Sequence, residues 1–289
     1  MGMVKTVGLV LHPGRDCNSA MFELLAWASK RKVTVLALED EASRVPGPVE
    51  AAPPADLAAR SDLMVSLGGD GTMLRAMRLS CGPRPPVLGV NVGKLGFLAE
   101  IDPPEMAEAL GAIDEHRFTA EPRSAVRAEF PGQQTIAFND VDLARIPGRG
   151  SSILVELTVE SHPFVRYAAD AVIVATPTGS TAYNFSAGGP LVSPMAEGLL
   201  VTPVAPHSAF NRALFLSSTE KVLLTVLPGS GEPALEADGI MVGYLHAGDT
   251  VEVGTIPDAA RVVRLGRTTF YQRAQRKLRL TGSAEADGD

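Results

Sequence analysis

Apolar residues come in short unbroken runs through the first part of the chain, at residues 7–11, 33–38, 63–67 and 86–90. Runs this short, with almost no polar interruption, predict strands covered on both faces. Helical spacing appears between them. Met21, Leu24, Leu25 and Ala28 recur on one face behind Asn18 or Ser19 as cap, and residues 73–79 repeat the pattern. Asp102-Pro103-Pro104-Glu105 supplies an acidic cap, a proline at the first helical position and a glutamate at the third. It opens a helix running to about Ile113. The Pro- and Ala-rich residues 39–56 read as an exposed connection. Strands alternating with helices predict an α/β domain with a Rossmann-like parallel sheet.

After Pro122 the pattern changes. Residues 125–130, 135–144, 153–159 and 172–176 are rich in Val, Ile, Leu and Thr, and Pro131-Gly132 and Pro147-Gly148 punctuate them as turns. Residues 221–227, 242–246, 250–253 and 261–265 continue the same way, interrupted by a helix near 180–187. This half is expected to be β-rich and sandwich-like. The expected division is an α/β domain at 1–122, joined by a basic C-terminal helical segment at 268–282, and a β-rich domain at 123–267. An acidic frayed tail at 283–289 follows.

Composition narrows the class. A hydrophobic share of 45% and a charged share of 20% over 289 residues suit a soluble globular protein. The net charge of -7 argues against non-specific binding to nucleic acid or anionic membrane. Cys17 and Cys81 stand alone, which makes neither a disulfide framework nor a metal cluster. No apolar run is long enough to span a bilayer, and Met1 to Lys5 lacks a signal-peptide pattern. A cytoplasmic protein is expected.

The chemistry concentrates at two turns. In the first, the strand at 63–67 stops at Gly68-Gly69-Asp70-Gly71-Thr72 and a helix-forming run follows. Glycines let a backbone approach phosphate, and a helix start aims free N–H groups at anions. A carboxylate there repels phosphate, so Asp70 needs another task, either proton abstraction or metal binding. Neither Gly-x-Gly-x-x-Gly nor Gly-x-x-x-x-Gly-Lys-Ser/Thr occurs, which excludes the two commonest nucleotide fingerprints. The second turn, Thr176-Pro177-Thr178-Gly179-Ser180-Thr181-Ala182-Tyr183, carries five hydroxyls in eight residues. They suit a lining for ribose, phosphate or amide groups, with Tyr183 offering a stacking face.

Together these turns resemble the two signatures of the NAD kinase family. Three further stretches, in the family's order, resemble it as well: Gly89-Val90-Asn91-Val92-Gly93-Lys94-Leu95-Gly96-Phe97-Leu98, Phe138-Asn139-Asp140, and Val201-Thr202-Pro203-Val204-Ala205-Pro206-His207-Ser208. A lone Gly-Gly-Asp-Gly is shared with phosphofructokinases and diacylglycerol-type lipid kinases. The ordered set is far more specific. The resemblance implies transfer of a phosphoryl group from Mg-ATP, or from inorganic polyphosphate, to the adenosine 2′-hydroxyl of NAD, giving NADP. Mg²⁺ would accompany the donor, with no metal ligand fixed by side chains. The enzyme would be a homodimer or homotetramer with sites completed across an interface. A lipid kinase of the same superfamily and a non-catalytic NAD sensor are the alternatives.

Carried over residue by residue, the resemblance makes Asp70 the general base. Gly68, Gly69, Gly71 and Thr72 would bind donor phosphate. NAD would meet Asp70, Gly71, Arg75, Phe97, Leu98, Asn139, Asp140, Asp170, Thr181, Ala182, Tyr183, Ser186 and the backbone of Ala205. Arg75 would reach a phosphate, Phe97 and Leu98 would wall the adenosine, and Asp170 would meet the nicotinamide end. Several positions depart from the family pattern. Ala169 and Ala171 flank Asp170 where glycine is common, Ala213 follows Arg212 in place of proline, and Ile240 follows Asp238-Gly239 in place of a polar residue. Ala168, where some members carry a basic residue, favours NAD over NADH.

Overall fold

The computed structural model describes residues 4–93, 96–148 and 152–280. The chain forms β1 (Thr6–Leu11), α1 (Asn18–Arg31), β2 (Thr34–Leu38), β3 (Glu50–Ala52), α2 (Pro54–Ala59), β4 (Leu63–Gly68), α3 (Asp70–Ser80), β5 (Pro86–Asn91) and α4 (Met106–Asp114). Strands then dominate: β6 (Thr119–Phe130), β7 (Gln133–Ala137), β8 (Asp140–Arg145), β9 (Ile153–Val159), β10 (His162–Ala169) and β11 (Ala171–Ala175). A short helix, α5 (Tyr183–Ser186), precedes β12 (Gly198–Val204), β13 (Leu214–Ser217), β14 (Val222–Val226), β15 (Pro233–Ala237), β16 (Ile240–Tyr244) and β17 (Thr250–Arg264), and α6 (Phe270–Leu278) follows. Two compact units result, residues 1–122 with 260–289, and residues 123–259. Within the expected segments, Lys94, Leu95, residues 281–282 and the acidic tail lie outside the described residues.

In the first unit the strands run β3-β2-β1-β4-β5-β17, all parallel. Every residue of β4 and β5 is buried, as continuous apolar runs require. Leu9, Leu11, Val65, Leu67, Val90, Leu24 and Ile113 share one core. The Asp102 capping box forms as the sequence predicts.

Two expectations for this unit need correction. The start of α1 is satisfied by the carboxylate of Asp16, which accepts from Asn18 N at 2.8 Å, and not by Asn18 or Ser19. The stretch at 39–56 is more than a connection. Glu50–Ala52 pairs in parallel with β2 as the edge strand, and Pro54 occupies the first turn of α2. Glu-Ala-Ala carries little strand signal, and proline suits a helix start as well as a loop.

The second unit is a β-sandwich. One sheet runs β13-β12-β11-β8-β15-β16, wholly antiparallel. Strands β10, β9, β14 and the first part of β17 pair antiparallel in the other. Val141, Leu143, Val172 and Val174 of the first sheet pack with Val155, Leu157, Val222 and Val253 of the second. Side chains alternate along a strand, so Asp140 and Asp142 of β8 face away from this core, beside Ile173 and Ala175. The sequence reading missed β10, half of whose residues are exposed. It turns from β9 at Glu160 and Ser161, which adopt positive φ of 48° and 66° without the usual Asn-Gly signal.

Candidate active site

Strand β4 delivers the chain to Gly68 and Gly69, and α3 begins at Asp70. A Cβ on Gly68 would lie 2.2 Å from Thr72 Oγ1, so the turn closes only on glycine. Gly71 has open space around it, which leaves room for a ligand. Asp70 sits in the first turn of α3, where a carboxylate is favoured by the helix dipole.

The carboxylate of Asp70 is held by three donors. Oδ2 accepts from Phe97 N at 2.9 Å, and Oδ1 accepts from Leu98 N at 3.0 Å. Lys277 Nζ stands 3.3 Å from Oδ2. A Cβ on Gly96 would fall 2.0 Å from Oδ1, so glycine is what leaves that oxygen its space. Phe97 and Leu98 therefore act on Asp70 through their N–H groups, a role the sequence reading did not foresee. Their side chains are buried.

Arg75 is placed elsewhere than the sequence reading expected. Its guanidinium donates to Leu11 O at 2.6 Å and pairs with Glu41. Glu41 is buried and also accepts from Leu11 N at 2.8 Å. In this structure Arg75 compensates a buried carboxylate, and is neither reaching for phosphate nor a solvated helix residue.

In the second unit the hydroxyl-rich turn is seated on Asn139. A Cβ on Gly179 would lie 2.0 Å from Asn139 O. Thr176 Oγ1 donates to Phe138 O at 2.5 Å and accepts from Gly179 N at 3.0 Å. Asp238, at a positive φ of 50°, accepts from Asn139 N at 2.6 Å. Buried Asn184 donates to Ser180 O and Pro190 O and accepts from Thr202 Oγ1 at 2.7 Å. Ser180 Oγ donates to Val192 O at 3.1 Å. The hydroxyls of Thr176 and Ser180 are thus spent on holding the turn, which corrects the reading of all five as ligand lining. Tyr183 is exposed and free to stack, and Ser186 is exposed beside it.

Two carboxyls on β8 stand out. Asp140 and Asp142 are 3% and 2% exposed, and Asp140 Oδ2 and Asp142 Oδ1 have no hydrogen-bond partner among the described residues. Burial pushes Asp140 up to about 7, helped by Asp238 and Glu236 and opposed by a backbone hydrogen bond from Tyr183. Burial likewise pushes Asp142 up to about 8, with Asp140 and Glu236 adding repulsion. Glu236 is the direct cross-strand neighbour of Asp142. Burial also raises the Tyr183 phenol, followed by Asp142 and Glu236. Sequence reasoning passed over Asp142. Its signal was the Asp-Val-Asp alternation, which puts both carboxyls on one strand face.

The remaining residues flank this face. Asp170 pairs with Arg145 Nε at 2.6 Å, both about two-fifths exposed. Ala205 holds a positive φ of 45°, uncommon for alanine, in an exposed position after β12. Thr181 donates to Thr178 O, and Ala182 precedes α5. Among the described residues no group of three or more His, Cys, Asp or Glu is arranged to hold a metal.

Comparison with known proteins gives this geometry its family. Residues 7–118 match the family described as the ATP-NAD kinase N-terminal domain, and residues 138–265 match the ATP-NAD kinase C-terminal domain. NAD kinase 1 of Streptomyces avermitilis is 36% identical, covering 99% of this chain and 90% of the relative. The NAD kinase of Desulforamulus reducens is 36% identical over 96% of this chain and 98% of its own. Among solved structures, yeast NADH kinase complexed with NADH superposes with a TM-score of 0.84 at 25% identity, covering 98% of this chain and 89% of that one. By sequence over nearly its whole length, the chain belongs to the NAD kinase family.

Proposed function

We propose that this protein phosphorylates the adenosine 2′-hydroxyl of NAD to give NADP, with ATP as donor and Asp70 as general base. The observation that carries the reading is the Asp70 carboxylate, fixed by Phe97 N, Leu98 N and Lys277 at the start of α3. Phosphoryl transfer asks the protein mostly for positioning and charge stabilisation. An alcohol nucleophile additionally needs its proton removed by a base within hydrogen-bond reach. Oδ1 carries one donor and Oδ2 carries two, so the open lone pair for that proton is on Oδ1. The proton passes to Asp70, the ribose oxygen bonds to the γ-phosphorus, and the bond from that phosphorus to the ADP oxygen breaks with its electron pair on ADP.

Gly68, Gly69, Gly71 and Thr72 hold donor phosphate on the backbone of the turn. Asp140, Asn139, Asp170, Tyr183, Thr181, Ala182, Ser186 and Ala205 recognise the dinucleotide. Asp140 and Asp142, raised toward neutrality, can donate as well as accept a hydrogen bond there. Asp70 offers a cation one open lone pair, so Mg²⁺ would be held chiefly by the phosphates it arrives with, whose charge it would neutralise. The apolar side chains of Ile240, Met241 and Tyr244, half exposed on the edge strand β16, support assembly into a homo-oligomer, which light scattering reads directly.

Purified protein given NAD, ATP and Mg²⁺ should accumulate NADP, measured with an NADP-specific dehydrogenase, and should stop when the metal is chelated. Saturable NAD binding without NADP would overturn the catalytic reading. Replacing ATP by inorganic polyphosphate in the same assay identifies the donor range.

A further inference from the structure

Helix α6 ends the described chain and rests on the segment that holds Asp70. A Thr269–Gln272 capping box starts it. Four positions on, the buried guanidinium of Arg273 donates to Ala99 O and pairs with Glu100. Glu100, whose side chain is fully buried, also pairs with Arg264 at 3.0 Å. Two cations around one buried carboxylate fix the phase of the helix, because removing any member strands a buried charge. The Phe270 ring lies 6.5 Å from the Phe97 ring, centroid to centroid. Residues 97–100 are thereby gripped from α6 while the N–H groups of Phe97 and Leu98 grip Asp70.

Lys277 follows Arg273 by four residues, so it projects from the same face of α6. Its ammonium lies 4.6 Å above the centre of the Phe97 ring and 3.3 Å from Asp70 Oδ2. A cation over an aromatic face is attracted to it, and the ring fixes where the charge sits.

We propose that Lys277 is a positioning residue for phosphoryl transfer. By filling the second lone pair of Oδ2, it directs proton acceptance to Oδ1 and holds the carboxylate plane in the orientation set by the two N–H groups. The inference rests on the reading of Asp70 as the base. Lys277 neither gives nor takes an atom in the transfer, so the balance of that step is unchanged. What the lysine supplies is geometry and a cation beside a carboxylate whose charge is lost when it takes the ribose proton.

The test compares wild type, Lys277→Met and Lys277→Arg in the NADP assay, with melting temperature measured on each. Misplacing a catalytic group by about 1 Å can cost roughly a hundredfold in rate. Lys277→Met should lower kcat by about 10- to 100-fold, leave KM for NAD within roughly twofold and leave the melting temperature unchanged. Lys277→Arg, which keeps the cation, should recover a large part of kcat. A kcat for Lys277→Met within roughly twofold of wild type overturns the proposal. So does a fall of kcat and melting temperature together in Lys277→Met that Lys277→Arg does not restore. Failure of wild type to make NADP would instead overturn the reading of Asp70, so the two failures are distinguishable.

Discussion

Asp70 in the first unit and Asp142 in the second are carboxyls handled in opposite ways. Asp70 keeps 29% of its side chain exposed and meets three donors. Asp142 is 2% exposed, has an oxygen without a partner among the described residues, and faces Glu236 across the strand pair. The difference teaches what each environment can do. A carboxylate supplied with donors and one open lone pair is equipped to take a proton from a substrate. A carboxyl stripped of water and crowded by like charge holds its own proton, and becomes a hydrogen-bond donor near neutral pH.

Three results would break or sharpen that contrast. The largest effect should come from Gly96→Ala, which removes no side chain of the site. Its methyl group would collide with Asp70 Oδ1, and kcat should fall by about a hundredfold, judged by NADP formation. Wild-type turnover in that variant would mean Oδ1 needs no such space.

The pH dependence of stability should come next. Burial pushes Asp142 up to about 8 and Asp140 up to about 7 in the folded protein, from an ordinary carboxyl value of 3.8. Between these limits the folded state binds more protons than the unfolded one, so stability falls as pH rises from about 4 to about 8. Asp142→Asn removes one of the two titrations. Denaturant unfolding should show a flatter profile, with the variant gaining steadily on wild type as pH rises from 4 to 8. An unchanged profile would mean that Asp142 is solvated.

The smallest effect concerns Tyr183, the exposed member of the hydroxyl-rich turn. Tyr183→Ala should weaken NAD binding by about tenfold, on the order of 1 kcal/mol for one stacking face. Calorimetry reads it, and unchanged affinity would remove Tyr183 from the dinucleotide's contacts.

How much of this was legible in the sequence depended on whether the signal was local. Runs buried on both faces announced β1, β2, β4 and β5, and the cap at Asp102 announced its helix. The second unit's β character was plain, although β10, β12, β13 and β15 were not. Exposed edges and prolines hid them, and β17 hid as two runs split around Pro257. At the site, the Gly-Gly-Asp-Gly turn and the Thr-rich turn were visible because their residues are contiguous. The partners of Asp70 were not. Phe97 and Leu98 act through backbone N–H groups, and Lys277 lies 207 positions away in sequence. Arg75 misled for the same reason, since its partner Glu41 looked like part of a loop. Which carboxyls lose their water is a property of packing, and so Asp142 escaped notice.

The central claim is that Asp70 removes the ribose proton, and Asp70→Asn tests it most directly because the amide nearly preserves shape. Turnover to NADP and affinity for NAD should be measured on the same preparation. The account predicts a loss of roughly 10²- to 10⁴-fold in kcat, with NAD affinity kept within a small factor. Turnover close to wild type would contradict it.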